Sequence, residues 1–124
     1  MSRIKRLPEA EFEIMKVIWG SNVPQISTLQ IIAALGDDKR KPQTVLTLLV
    51  RLIERGFLSS EKIGKERLYS PVVDEQDYLR TETESFIEKY HQNSLLGLVN
   101  TLYRGKDLSE AEIEELRKLL NERT

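Results

Sequence analysis

The segment from Lys41 to Gly56, KPQTVLTLLVRLIERG, constrains what this chain can fold into more than any other. At 100° per residue Val45, Leu48, Leu49 and Leu52 share one stripe, and Gln43, Thr47, Arg51 and Glu54 share the opposite one. That period predicts an amphipathic helix with one side held in a core. Pro42 suits the first helical position, because its φ is already helical and its missing N–H would have had no partner there. Gly56, after Arg55, supplies a left-handed stop. The exposed face holds short polar and basic groups and few acids, the set that reaches base edges and phosphates. The same pattern also describes an ordinary surface helix, so the neighbouring segments must decide.

Upstream, Arg3, Lys5 and Arg6 precede any apolar periodicity and read as a basic arm. Pro8 opens a helix with Glu9 and Glu11 in its first turn, where carboxylates complement the helix dipole. Phe12, Met15, Val17, Ile18 and Trp19 give that helix its apolar surface before Gly20, with Met15 and Trp19 as packing partners one turn apart. After the turn GSNVPQ, Ser27 or its neighbour caps a second helix whose Leu29, Ile32, Ala33 and Leu35 are expected to face inward before Gly36. The linker DDKRK then leads into the Lys41 helix, giving a helix-turn-helix order.

Downstream, Phe57 to Lys62 reads as a strand, Ile63 to Lys65 as a turn, and Glu66 to Val72 as a second strand with Leu68 and Tyr69 available as anchors. Three helices followed by a β-hairpin describe a winged helix-turn-helix, with Lys62, Lys65 and Arg67 on or near the wing where phosphates would lie. The expected fold is therefore mainly α with a small β-hairpin wing. Residues 1–72 form the winged DNA-binding domain and residues 73–124 a helical dimerisation domain.

Charge follows the same division. Met1 to Pro71 holds 12 Lys and Arg against 8 Asp and Glu, whereas Val72 to Thr124 holds 7 against 12. A basic N-terminal half favours a polyanion, and an acidic remainder biases its orientation. In the acidic part, Leu79, Phe86 and Tyr90 share one face of a helix from about Asp74 to His91, and Leu95, Leu98, Val99 and Leu102 recur on the next, which Gly105 interrupts. The last helix opens with a capping box, Ser109 to Glu112, and a hydrophobic staple, Leu108 with Ile113. Ile113, Leu116 and Leu120 continue it. Three short helices with this much apolar surface would expose a large patch on a monomer, so a homodimer is expected, with folding back onto the winged domain as the alternative.

Other classes find little support. There is no cysteine, hence no disulfide or thiolate metal cluster, and no apolar run near the ~18 residues of a membrane span. The start MSRIKRLPEAEFE is too charged for a signal peptide, and a cytoplasmic location is expected. His91 is the sole histidine and has no nucleophile or ligand set beside it, the carboxylates fall at surface-helix spacings, and no Gly-rich phosphate cradle is present. No enzyme activity, cofactor, metal or small-molecule ligand is expected. The competing reading is a winged-helix module that binds protein without sequence-specific DNA binding.

Four segments, AEFEIMKVIW, KPQTVLTLLVRLIERGFL, KIGKERLYSPVV and DLSEAEIEELRKLL, together resemble the penicillinase repressors (BlaI/MecI family) along nearly the whole chain. The resemblance implies a cytoplasmic homodimeric transcriptional repressor that binds a palindromic operator, dimerising through intertwined C-terminal helices. It places operator contacts on Gln43, Thr44, Leu46, Thr47 and Arg51. Leu46 departs from the family, which commonly has a long polar or basic residue there, so a different operator sequence or weaker binding is implied. The family also implies release by a membrane sensor with a zinc-metalloprotease domain, whose cut would fall between Asn100 and Thr101. Copper-responsive relatives carry a C-terminal cysteine cluster that this chain lacks.

Overall fold

Two strands and a two-residue stub of sheet lie within a largely helical chain in the computed structural model, which describes residues 5–36 and 41–122. The order is α1 (Glu9–Gly20), β1 (Ile26–Ser27), α2 (Thr28–Leu35), α3 (Pro42–Glu54), β2 (Leu58–Ile63), β3 (Glu66–Pro71), α4 (Glu75–His91), α5 (Leu95–Arg104) and α6 (Glu110–Glu122). The chain divides into two compact units, Met1–Thr81 and Glu82–Thr124. Arg3 and all of the DDKRK linker except Lys41 fall outside the described residues.

In the first unit, Val45, Leu48, Leu49 and Leu52 of α3 are buried, as the helical period predicts. They share one core with Ile14, Met15 and Ile18 of α1, Ile31 of α2, and Phe57, Leu58 and Tyr69. Lys41 caps α3 in an extended conformation with Pro42 in the first turn. At the other end Gly56 adopts φ +84°, which lets its N–H reach the Ile53 carbonyl (3.0 Å) and the Phe57 N–H reach that of Leu52 (2.9 Å). This is a Schellman motif closed by the buried Leu52 and Phe57.

The structure corrects some of these expectations and extends others. Leu29 is 73% exposed and Ala33 is exposed, while Ile31 is the fully buried residue of α2. The rotation of this eight-residue helix is set by its N-terminus: Ile26 and Ser27 form β1, pairing antiparallel with Tyr69 and Leu68, and Ser27 then caps α2 in a reciprocal box with Gln30. That two-residue strand makes the sheet three-stranded, in the order β1-β3-β2. Ile63 belongs to β2, opposite Glu66, leaving only Gly64 and Lys65 in the turn. Gly64 sits at φ +64°, the left-handed backbone that so short a hairpin requires. Finally, Glu11 lies in the first turn of α1 as expected, and it is also buried. It is 1% exposed and accepts from Arg55 Nε at 2.6 Å, joining the start of α1 to the residue that caps α3.

The first unit also runs past Val72. Tyr78, on the second turn of α4, is 3% exposed and rings with Phe12 (5.6 Å), Trp19 (5.8 Å) and Phe57 (5.6 Å). Its Oη accepts from the Leu7 N–H at 2.9 Å, and Trp19 Nε1–H donates to the Val73 carbonyl at 3.0 Å. The composition shift at Val72 therefore marks a change of surface charge, whereas the core closes only with α4.

The second unit is built differently. Ser94 caps α5 by accepting from the Gly97 N–H (2.9 Å), and Ser109 and Glu112 form the expected capping box of α6. Yet no described residue from Glu82 to Glu122 is buried.

These packing facts predict that a chain ending at Thr81 melts cooperatively. One ending at Val72 loses ~3–5 kcal/mol relative to it, the cost typical of deleting a large buried aromatic side chain. Denaturant unfolding of the two fragments measures the difference.

Candidate nucleic-acid interface

Because four aliphatic side chains fix α3 from below, the residues half a turn away must face solvent, and they do. Gln43, Thr44, Leu46, Thr47, Val50, Arg51 and Glu54 are all exposed. Around the outward direction the helix has two flanks. Thr44, Thr47 and Arg51 lie on one, and Leu46 and Val50, one turn apart, on the other, with Gln43 near the centre. Arg51 is in the last turn, where a cation also complements the dipole, and its guanidinium pairs with no carboxylate among the described residues. Five donors in a planar fork thus remain available to a phosphate or a guanine edge.

Thr47 refines its expected role. Its Oγ1–H donates to the Gln43 carbonyl at 3.1 Å, so in this rotamer the hydroxyl offers acceptor capacity and a methyl group outward. A phosphate only accepts, so Thr47 in this rotamer suits a base amino group or a thymine methyl better than the backbone.

The wing sorts charge by strand period. Lys62 stands opposite Arg67 and Ser60 opposite Tyr69, so these four side chains share one face of the hairpin. At its inner end that face carries the buried Leu58 and Tyr69, and further out the exposed Lys62 and Arg67. Glu61 and Glu66 fall on the other face, where Glu61 accepts from Gln25 Nε2 at 3.1 Å. Arg67 is steadied by a 2.9 Å hydrogen bond to Ser60 Oγ. Two cations directly across a ladder repel each other, an arrangement an anion would relieve. Lys65 is exposed in the turn.

All eight expected DNA-facing residues are therefore exposed on α3 or the wing. Val50, one turn after Leu46, belongs to the same exposed face. Of the N-terminal arm, Lys5 and Arg6 are exposed just before the buried Leu7. Asn100 and Thr101 are exposed within α5, where Thr101 Oγ1–H donates to the Gly97 carbonyl at 3.0 Å. Among the described residues, no cluster of three His, Cys, Asp or Glu side chains is placed to hold a metal, and no helix is long and apolar enough to cross a membrane.

Three helices, a β1 stub and a charge-sorted wing, with a polar and basic third-helix face left open, define a winged helix-turn-helix protein of the DNA-reading kind. The chain belongs to the Penicillinase repressor family, whose profile matches residues 7–122. It is 35% identical over 123 residues to the penicillinase repressor of Bacillus licheniformis, covering 98% of this chain and 94% of that protein. With the methicillin resistance regulatory protein MecI of Staphylococcus aureus (strain N315) it shares 34% identity over 118 residues, 94% of each. The solution structure of the Bacillus licheniformis BlaI monomeric form in complex with the blaP half-operator matches at 39% identity and a TM-score of 0.52, over 63% of this chain and 94% of that one.

If the basic face of the wing lies on phosphate, Lys62→Ala and Arg67→Ala each reduce the slope of log K against log salt by about 0.9. Glu61→Ala, on the opposite face, leaves the slope unchanged. Binding titrations at several salt concentrations measure all three.

Proposed function

We propose that this chain is a DNA-binding transcriptional repressor that acts as a homodimer on a palindromic operator. The observation that carries the proposal is the outer face of α3, whose Gln43, Thr44, Thr47 and Arg51 are exposed together on a helix anchored from behind. Two such helices would enter successive major grooves, roughly 34 Å or a multiple of that apart. Each subunit reads one half-site, and Lys62, Lys65 and Arg67 hold the adjacent phosphates. Such a target puts the protein in the compartment that holds the chromosome, in a bacterium the cytoplasm. The role is binding and involves no catalysis.

The homodimer is supported by the second unit. Leu95, Leu96, Tyr103, Leu119 and Leu120 are each more than half exposed, and an open groove along α6 is lined by Leu108, Leu116 and Leu119. Helices of 10 and 13 residues with no buried side chain gain little from their own chain and need a covering surface. A second copy of the same acidic, apolar-striped helices provides one. Bivalency then makes modest half-site contacts sufficient, so loosening the C-terminal helices releases the operator.

In this proposal, a membrane sensor with a metalloprotease domain cuts between Asn100 and Thr101. The bond lies inside α5 with its backbone helical, so a protease that binds extended chain must first unwind this short helix. A helix with no buried residue opens at little cost. Cleavage there would separate α6 from the rest of the chain and dissolve the dimer.

The test is a salt-dependent titration of the full-length protein against its own upstream DNA, with scrambled DNA as control. Specific binding weakens steeply with salt, and Arg51→Ala costs about 5- to 150-fold, the range of a bidentate guanine contact of ~1–3 kcal/mol. Truncation after Asn100 yields a monomer whose operator affinity falls by about 10²- to 10⁴-fold. Unchanged affinity after truncation would refute dimer control. Absence of any preference for upstream DNA, with the dimer intact, would favour a protein-binding module.

A further inference from the structure

One flank of the outer face of α3 is apolar. Leu46 is 38% exposed and Val50 54% exposed, one turn apart on the helix proposed to enter the groove. The core of the first unit is filled from the opposite stripe by Val45, Leu48, Leu49 and Leu52, with Leu46 partly covered at its rim and Val50 turned further out. Resting on the DNA-binding proposal above, we infer that Leu46 and Val50 form a thymine-selective contact, reading the 5-methyl groups of the half-site in the major groove.

The chemistry favours thymine over each alternative. On the major-groove floor, thymine alone among the four bases presents a methyl group. Cytosine at the same position would set its N4 amino donors against two aliphatic side chains and strip them of water without giving a partner, and an adenine amino group would fare likewise. A guanine would lose hydration at O6 and N7. The polar flank supplies the complementary contacts: the Arg51 fork toward phosphate or guanine, and Gln43 near the centre toward adenine. The face is thus divided lengthwise into one side that hydrogen-bonds and one that recognises apolar surface.

The experiment uses the full-length protein and a duplex it selects from a randomised pool. Each thymidine of one half-site is replaced in turn by deoxyuridine, which removes the methyl and keeps the Watson–Crick pair. Wild type is compared with the Leu46→Ala, Val50→Ala double variant, whose two changes are on the exposed face. At one or more positions, deoxyuridine is expected to weaken wild-type binding by about fourfold, the equivalent of one buried methyl at ~0.8 kcal/mol, with no such loss in the double variant. If deoxyuridine is tolerated at every position, or if its cost persists unchanged in the variant, the inference is overturned while DNA binding stands. If no sequence is enriched from the pool, the DNA-binding proposal fails and this one with it.

Discussion

Burial of Val45, Leu48, Leu49 and Leu52 on one side of α3 is the constraint on which the rest of the structure depends. Each is worth ~1.5–3 kcal/mol on leaving water, so together they weigh as much as the entire ~5–15 kcal/mol net stability of a typical domain. Turning the helix by a single residue's 100° would forfeit much of that. The outer face is consequently held in rotation, and the Schellman closure at Gly56 and the Glu11–Arg55 pair hold it in tilt. A carboxylate that is 1% exposed demands its counter-ion, and the demand joins the first turn of α1 to the end of α3. A face meant to meet a rigid groove benefits from being fixed in this way before contact.

The wing obeys a different period to the same end. Alternation along β2 and β3 sends Leu58 and Tyr69 inward and brings Lys62 and Arg67 out on the same side, with Glu61 and Glu66 turned away. A hairpin this short needs an anchor at its base, which the buried Leu58 and Tyr69 and the pairing of β1 with β3 provide. The third anchor of the first unit is Tyr78, which brings the start of α4 into an aromatic cluster with Phe12, Trp19 and Phe57. The beginning of the acidic helix is therefore a structural part of the winged unit.

Beyond Thr81 the described residues form capped helices in which no side chain is fully buried. The capping residues Ser94 and Ser109 set where α5 and α6 begin; Leu95, Leu96, Leu119 and Leu120 stay open to solvent, and Leu98, Leu102 and Leu116 are only half-buried. Local stability without tertiary burial is marginal, which fits the proposed role of this region as the point where dimerisation, and with it operator binding, is controlled.

Much of this was legible in the sequence because it depends on short-range periods. The α3 stripe, Pro42 and Gly56 at its ends, the Ser27 and Ser109 caps and the hairpin after Phe57 are each dictated within a few residues. The expectation of contacts on Gln43, Thr44, Leu46, Thr47 and Arg51 rests on a resemblance spread along the chain, and all five are exposed. What only the tertiary structure decided are facts between distant segments. Ile31 and not Leu29 is buried, because β1 pairs with a strand some forty positions later and turns α2 with it. Glu11 is buried because Arg55 reaches it from 44 residues away. The winged unit ends after Tyr78 and not at Val72, since Leu7 and Trp19 bond to the far side of that boundary. A sequence period sets which side of an element is apolar; the contacts of the other elements settle which of those apolar residues is covered, and which is left to read a partner.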